Sequence, residues 1–375
     1  MFESWSLEAL QVYWWVIVSL LGGLLVFMMF VQGGQTLLFF LSENELEKSV
    51  LINSLGRKWE LTFTTLVLFG GACFAAFPLF YATSFGGAYW VWLLILFCFI
   101  IQAVSYEYRR KPDNFLGQKS YEAFLYINGA LAPFLIGAAV STFFSGSPFA
   151  LSENFFPLWQ TPFRGLETLL VPYVYLLGLA LFFLSRIGAS LYFINHVNEV
   201  SIRQKARKAV LRNTLYFLPF FLAFLGWILT KEGWSYDLSG GVSVESYKYA
   251  KNLLALPWIG VMMIAGVGGV LLGIYQGALT ESSRGIFAFG TGVVLCVMGV
   301  FLLAGLNGTP FYPSYTHPED SLTIKNASSS HYTLSVMAYV SLLVPLVLGY
   351  ITYVWRLMDK KKITTHEVGG DSHLY

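Results

Sequence analysis

Residues 57–82 read RKWELTFTTLVLFGGACFAAFPLFYA. Two basic residues and a tryptophan precede Glu60, and no further charge occurs until Glu107. A surface helix of a soluble protein would carry polar residues on its outer side. Past Glu60 this run carries no charge and only three threonines, and it exceeds the roughly 20 apolar residues that cross a bilayer as a helix.

The rest of the chain repeats the pattern. Of 375 residues, 56% are hydrophobic and 12% charged, where a soluble domain carries about 25% charge. Nine apolar spans are expected near 11–41, 60–84, 87–107, 121–144, 166–194, 210–230, 256–280, 284–306 and 333–357. Backbone groups in lipid must be satisfied internally, and spans this long and continuous choose helices over barrel strands. The fold class is an all-α polytopic membrane protein. Two long loops, SGSPFALSENFFPLWQTPF and NGTPFYPSYTHPEDSLTIKNASSSHY, divide the spans as four, four and one. The expected organisation is a first four-helix bundle over 1–150 and a second over 151–310. An outer loop, a peripheral ninth helix and a cytoplasmic tail occupy 311–375.

Basic residues set the orientation. Lys48, Arg57, Lys58, Arg109–Lys111, Lys119, Arg203–Arg212, Arg284 and Arg356–Lys362 fall on one side, and far fewer on the other. The N-terminus is therefore expected outside and the C-terminus in the cytoplasm. The first ten residues, MFESWSLEAL, place no basic residue ahead of the apolar run and do not resemble a cleaved signal. Trp14, Trp59, Trp90, Trp234 and Trp355 suit an interfacial belt.

Polar groups inside a membrane are costly and are the first functional candidates. Gln32 and Gln35 lie three apart on one helix face. Topology sets them at a depth similar to Glu60 and Gln102, on three successive helices that could meet. Glu107 and Glu122 stand at the neighbouring span ends. The functional reading is a polar path from the cytoplasm. The bland reading makes Glu60 a first-turn carboxylate favoured by the helix dipole, beside Arg57 and Lys58 at the headgroups, and makes the glutamines interhelical glue. Arg186 is expected to be paired or to line a wet cavity, Asn128 and Asn213 to bridge helices, and Glu167 to open the fifth span. Gly269, Gly273 and Gly277 predict close helix packing. His196 is read as a surface histidine. Cys73, Cys98 and Cys296 form no metal or redox pattern, and no catalytic residue or metal site is expected in this chain. Two intramembrane histidines for axial haem ligation are lacking.

A resemblance rests on two long stretches. Asn53-Ser54, Trp59-Glu60, Gly70-Gly71-Ala72, Phe74-Ala75-Ala76, Phe77-Pro78 and Tyr81-Ala82 form one; NASSSHYTLSVMAYVSLLVPLVLGYITYVWR, residues 326–356, forms the other. VYWWVIV (12–18), YEYRRK (106–111) and the terminal SHLY also fit. These resemble subunit II of the cytochrome bd quinol oxidases. The resemblance implies nine helices arranged as two four-helix bundles plus one peripheral helix. It implies a haem-free subunit that supports a haem-bearing subunit I and supplies part of a cytoplasmic proton route for reduction of O2 to water. Haems b558, b595 and d would lie in subunit I, and some members hold a structural quinone. The implied partners are subunit I, small single-span accessory subunits, bilayer lipid and the quinol/quinone pool, with no nucleic acid. The implied location is the bacterial inner membrane.

Glu60 matches the acidic position of the implied route, with Trp59, Arg57, Lys58 and Glu107 in support. The sequence departs where many members have a motif like DGFDMG. Here QGGQTL replaces both aspartates with Gln32 and Gln35, and the arginine common in span three is Gln102. Losing acid and base together avoids stranding a buried charge. The alternatives are a secondary transporter with a polar path through the first bundle, and a structural scaffold.

Overall fold

The computed structural model describes residues 2–236, 241–280 and 282–370. The terminal SHLY and His373 lie outside the described residues. Nine helices among those described are long and apolar enough to cross a membrane.

The first span is α1 (Leu7–Met28), continued by α2 (Phe30–Gln35) after a break at Met29. Ser6 caps its start by accepting from the Ala9 amide. A short α3 (Leu38–Leu41) leads to α4 (Glu45–Gly56), capped by Asn44. Helix α5 (Trp59–Ala76) crosses next and stops at Phe77, because Pro78 has no N–H to continue the ladder. Pro78 instead opens α6 (Pro78–Tyr81), and a π turn over Ala82–Gly87 leads into α7 (Tyr89–Tyr108). The second crossing therefore ends near 76 rather than 84. Helix α8 (Gln118–Ser145) completes the first four crossings. A hairpin of β1 (Phe149–Leu151) and β2 (Pro157–Trp159), with Phe149 opposite Trp159, lies in the long loop.

Helices α9 (Pro172–His196) and α10 (Val200–Thr230) follow. α10 begins ten residues before the expected apolar span. Its first turns carry Arg203, Lys205, Arg207 and Lys208, so hydropathy alone hides them. A second hairpin pairs β3 (Gly233–Tyr236) with β4 (Val242–Glu245). The amphipathic α11 (Lys248–Ala255) precedes α12 (Pro257–Leu279) and α13 (Gly285–Gly305). The last crossing is α14 (His331–Ser341) plus α15 (Val344–Met358), and α16 (Thr365–Gly370) folds back over the end it leaves.

The buried interior forms two clusters stacked along the helices, one toward each end. α1 packs on α5 and α13, and α2 wedges between α8 and α9. That wedge needs Gly33, since a β-carbon there would fall on the Ser185 backbone of α9. α12 and α13 approach through Gly269 against Gly292 and Gly273 against Gly285, the close packing expected of that stripe. Trp14 corrects the belt reading: it is 4% exposed and donates from its indole to the Leu334 carbonyl at 3.0 Å.

Candidate functional site

The break at Met29 delivers α2 into the interior between α7, α8 and α9. Its two glutamines, and Gln102 of α7, are fully buried. Gln32 Nε2 donates to Gln102 Oε1 at 3.3 Å, and Gln35 Nε2 donates to the Tyr106 hydroxyl at 3.2 Å. Tyr106 stacks on Trp59, with centroids 5.7 Å apart and planes at 12°. The three glutamines thus form one neutral cluster walled by aromatic rings. They do not satisfy one another: Gln32 Oε1, Gln35 Oε1 and Gln102 Nε2 are buried without a protein partner. Buried polar atoms of this kind are where internal water is held. Gly129 of α8 abuts Gln32 and Gln35, and its neighbour Asn128 is buried with both amide atoms unpartnered.

Glu60 does not join the cluster. It occupies the first turn of α5, as the dipole reading requires, and its side chain is exposed on this chain's surface. Trp59 is the residue that connects its position to Tyr106. Glu107 is a surface residue, 61% exposed and 3.8 Å from Lys111. Glu122 is buried: Arg109 grips its Oε1 through Nε (3.0 Å) and Nη2 (2.7 Å), and Lys48 reaches Oε2 at 3.0 Å. That knot ties α4, α7 and α8 together.

Lys58 corrects the headgroup expectation. Its side chain has no exposure, and its ammonium pairs with Asp359 at 2.7 Å while lying 4.9 Å from the Trp355 ring. His196, expected at the surface, is fully buried beside the same carboxylate at 3.5 Å, with Nδ1 2.8 Å from the Ser54 hydroxyl and 3.3 Å from that of Tyr192. Burial pushes the Asp359 carboxyl above its ordinary range, against the pull of Lys58. The segment beyond is pinned by Arg57–Glu367 (2.8 Å), by Thr365 N–H to Glu199 (2.8 Å), and by Ile363 exchanging backbone bonds with His196 and Asn198. No local pattern marks Asp359; it sits in an ordinary-looking charged tail, 301 positions from Lys58.

Of the other polar candidates, Asn213 bonds within its own helix, to the Ala209 carbonyl, rather than across helices. Glu167 lies in a 3-10 turn before α9 and accepts from the Trp159 indole at 2.7 Å. Arg186 has no ion-pair partner among the described residues. Between α8, α9, α10, α12 and α13 lies an apolar cavity of about 160 Å³, lined by Leu177, Leu181, Phe217, Val270 and Val297 among others.

No group of three or more His, Cys, Asp or Glu that could hold a metal ion occurs among the described residues. The buried His196 has Nδ1 committed to hydroxyls and Nε2 facing the Lys58–Asp359 pair.

The model of the family described as cytochrome bd terminal oxidase subunit II matches residues 10–358. A Haemophilus influenzae protein named probable cytochrome oxidase subunit 2 is 29% identical, covering 94% of each chain. Cytochrome bd-I ubiquinol oxidase subunit 2 of Escherichia coli K12 is 29% identical over 98% of each. A chain of the bd oxidase structure from Geobacillus thermodenitrificans superposes with a TM-score of 0.64 at 14% identity, covering 93% of this chain and 98% of that one, which speaks to the fold. A match of that extent, on a nine-helix scaffold of this shape, makes the chain a member of the cytochrome bd subunit II family.

Proposed function

We propose that this chain is the haem-free subunit of a quinol:dioxygen oxidoreductase in a bacterial inner membrane, with its basic end facing the cytoplasm. It would support a haem-bearing subunit I and carry part of the route by which cytoplasmic protons reach the oxygen-reducing centre. Haems b558, b595 and d in that partner would supply the electron transfer and oxygen chemistry. The reduction consumes four protons and four electrons per O2 and yields two waters.

The observation that supports a route here is the amide cluster. Gln32, Gln35 and Gln102 are buried at the basic end with hydrogen-bonding capacity left over. Amides orient water but do not change charge at accessible pH. The titratable step falls to Glu60, one residue from the Trp59 that stacks on Tyr106. Its exposure on the isolated chain lets it collect protons from solvent or hand them across a subunit boundary. The apolar cavity is the space that would take the isoprenoid chain of a structural quinone.

The test uses the assembled complex in membranes, with quinol as electron donor. Glu60→Gln should slow O2 uptake roughly tenfold, the effect of raising a barrier by about 1.4 kcal/mol, with haem absorbance unchanged. Glu60→Asp should be milder. Turnover equal to the parent across the pH range would remove Glu60 from the route.

A further inference from the structure

Arg186 of α9 is 8% exposed, and no side-chain or backbone acceptor among the described residues takes a hydrogen bond from it. Its Nε is buried and unpartnered. A guanidinium carries five N–H donors and keeps its charge at any accessible pH. Its contacts are aromatic: Phe40 of α3 at 5.5 Å and Phe182 of α9 at 5.4 Å. Neither ring offers a hydrogen-bond acceptor of its own, and a guanidinium edge matches an oxyanion bidentately.

A second cation stands on the neighbouring helix at matching height. α9 packs along α10 with the Phe183 and Tyr216 ring centroids 5.4 Å apart, and Arg212, one turn before Tyr216, is exposed and has no ion pair among the described residues. Glu43, on the nearby connection between α3 and α4, is engaged with Lys205 at 2.9 Å. Depth follows from the sequence of α10. Four basic residues precede Arg212 in the helix, and no charge follows it to Thr230. Arg212 therefore marks the boundary between water and hydrocarbon. The next turn of α10 presents apolar surface, with Leu215 68% and Tyr216 48% exposed, and Phe40 beside Arg186 is 53% exposed. A soluble anion would leave those side chains uncovered, whereas a lipid brings acyl chains along with its phosphate.

We propose that Arg186 and Arg212 form a site for the phosphate of an anionic phospholipid in the leaflet at the basic end. Phe40 and Phe182 flank the guanidinium, and Leu215 and Tyr216 receive the chains. This assignment is independent of the proton-route reading.

The test is native mass spectrometry of the whole oxidase complex, stripped of lipid in detergent and offered phosphatidylglycerol or phosphatidylethanolamine. The parent should retain phosphatidylglycerol in preference. Arg186→Gln should weaken retention roughly tenfold and Arg212→Gln roughly threefold, with Arg186→Lys between parent and Arg186→Gln. Should Arg186→Gln fail to assemble, the exposed Arg212→Gln carries the same comparison. Retention by both glutamine variants equal to the parent, or no preference between the two lipids, overturns the proposal. Inorganic phosphate raising the melting temperature of the stripped complex as much as phosphatidylglycerol would assign the site to a soluble anion and overturn the lipid assignment.

Discussion

Two regions at the basic end use polarity in opposite ways. The rim is a lattice of buried and half-buried charges: Arg109–Glu122–Lys48, Lys58–Asp359 and Arg57–Glu367. The amide cluster of α2 and α7 holds three buried side chains without a formal charge. Lys48–Glu122, Lys58–Asp359 and Arg57–Glu367 join elements distant in sequence, and Arg109–Glu122 joins the consecutive α7 and α8. The amides leave hydrogen-bonding capacity open. Buried charge therefore marks where helices and tail are fastened, even though single rim atoms such as Arg109 Nη1 and Asp359 Oδ2 also lack partners, whereas in the amide cluster every glutamine keeps an unpartnered atom without any charge to balance.

The largest expected break in this contrast is Glu122→Ala. It leaves Arg109, 2% exposed, with only the distant Glu45 carboxylate at 4.0 Å, and removes a partner of Lys48. Loss of about 3–5 kcal/mol is expected, read as a collapse in the melting temperature of the complex. Lys58→Met comes next, near the lower end of that range, because Asp359 can escape its charge by protonation. Without Lys58 its carboxyl rises further, so the proton is held more tightly folded than unfolded. Stability is then fully present below the ordinary value of 3.8 and is lost as pH rises through the raised one. The melting temperature of Lys58→Met should fall as pH climbs through that window. Adding Asp359→Leu should restore most of it, since replacing a buried pair with apolar groups is often neutral.

On the amide side, Gln102→Leu orphans Gln32 Nε2 and should cost about 1–3 kcal/mol in denaturation. A sharper version changes the character of the region: Gln32→Asp alone buries a bare carboxylate, while Gln32→Asp with Gln102→Arg restores a pair at the present contact. The double variant should melt above the single one. If both melt alike, the two side chains do not share an environment. The smallest effect belongs to Glu107→Gln, whose exposed partner Lys111 lies at i+4; about 0.3–0.5 kcal/mol is expected.

The crossings were legible because apolarity over 20 residues has few alternatives, and the meeting of Gln32 with Gln102 followed from depth on neighbouring helices. What failed has a common cause. Lys58, His196 and Trp14 all stand near span ends, and end position suggested solvent or headgroups. Their partners, Asp359 and the Leu334 carbonyl, come from the last crossing and the tail. Local pattern reports a residue's depth but not its azimuth, and azimuth decides whether Glu60 faces outward and Lys58 inward. The charged prelude of α10 was hidden for a related reason: an amphipathic helix outside the membrane leaves no hydropathy signal.

The tail pinned over α4 and α9 also orders events in time. Asp359, Ile363, Thr365 and Glu367 close contacts with Lys58, His196, Glu199 and Arg57. During synthesis those four partners leave the ribosome long before the residues they await. Lys58 must wait through all the remaining crossings with its charge unmatched. The clasp therefore closes only after the ninth crossing has been made, so the fastening of α4 and α9 at this end comes late in assembly.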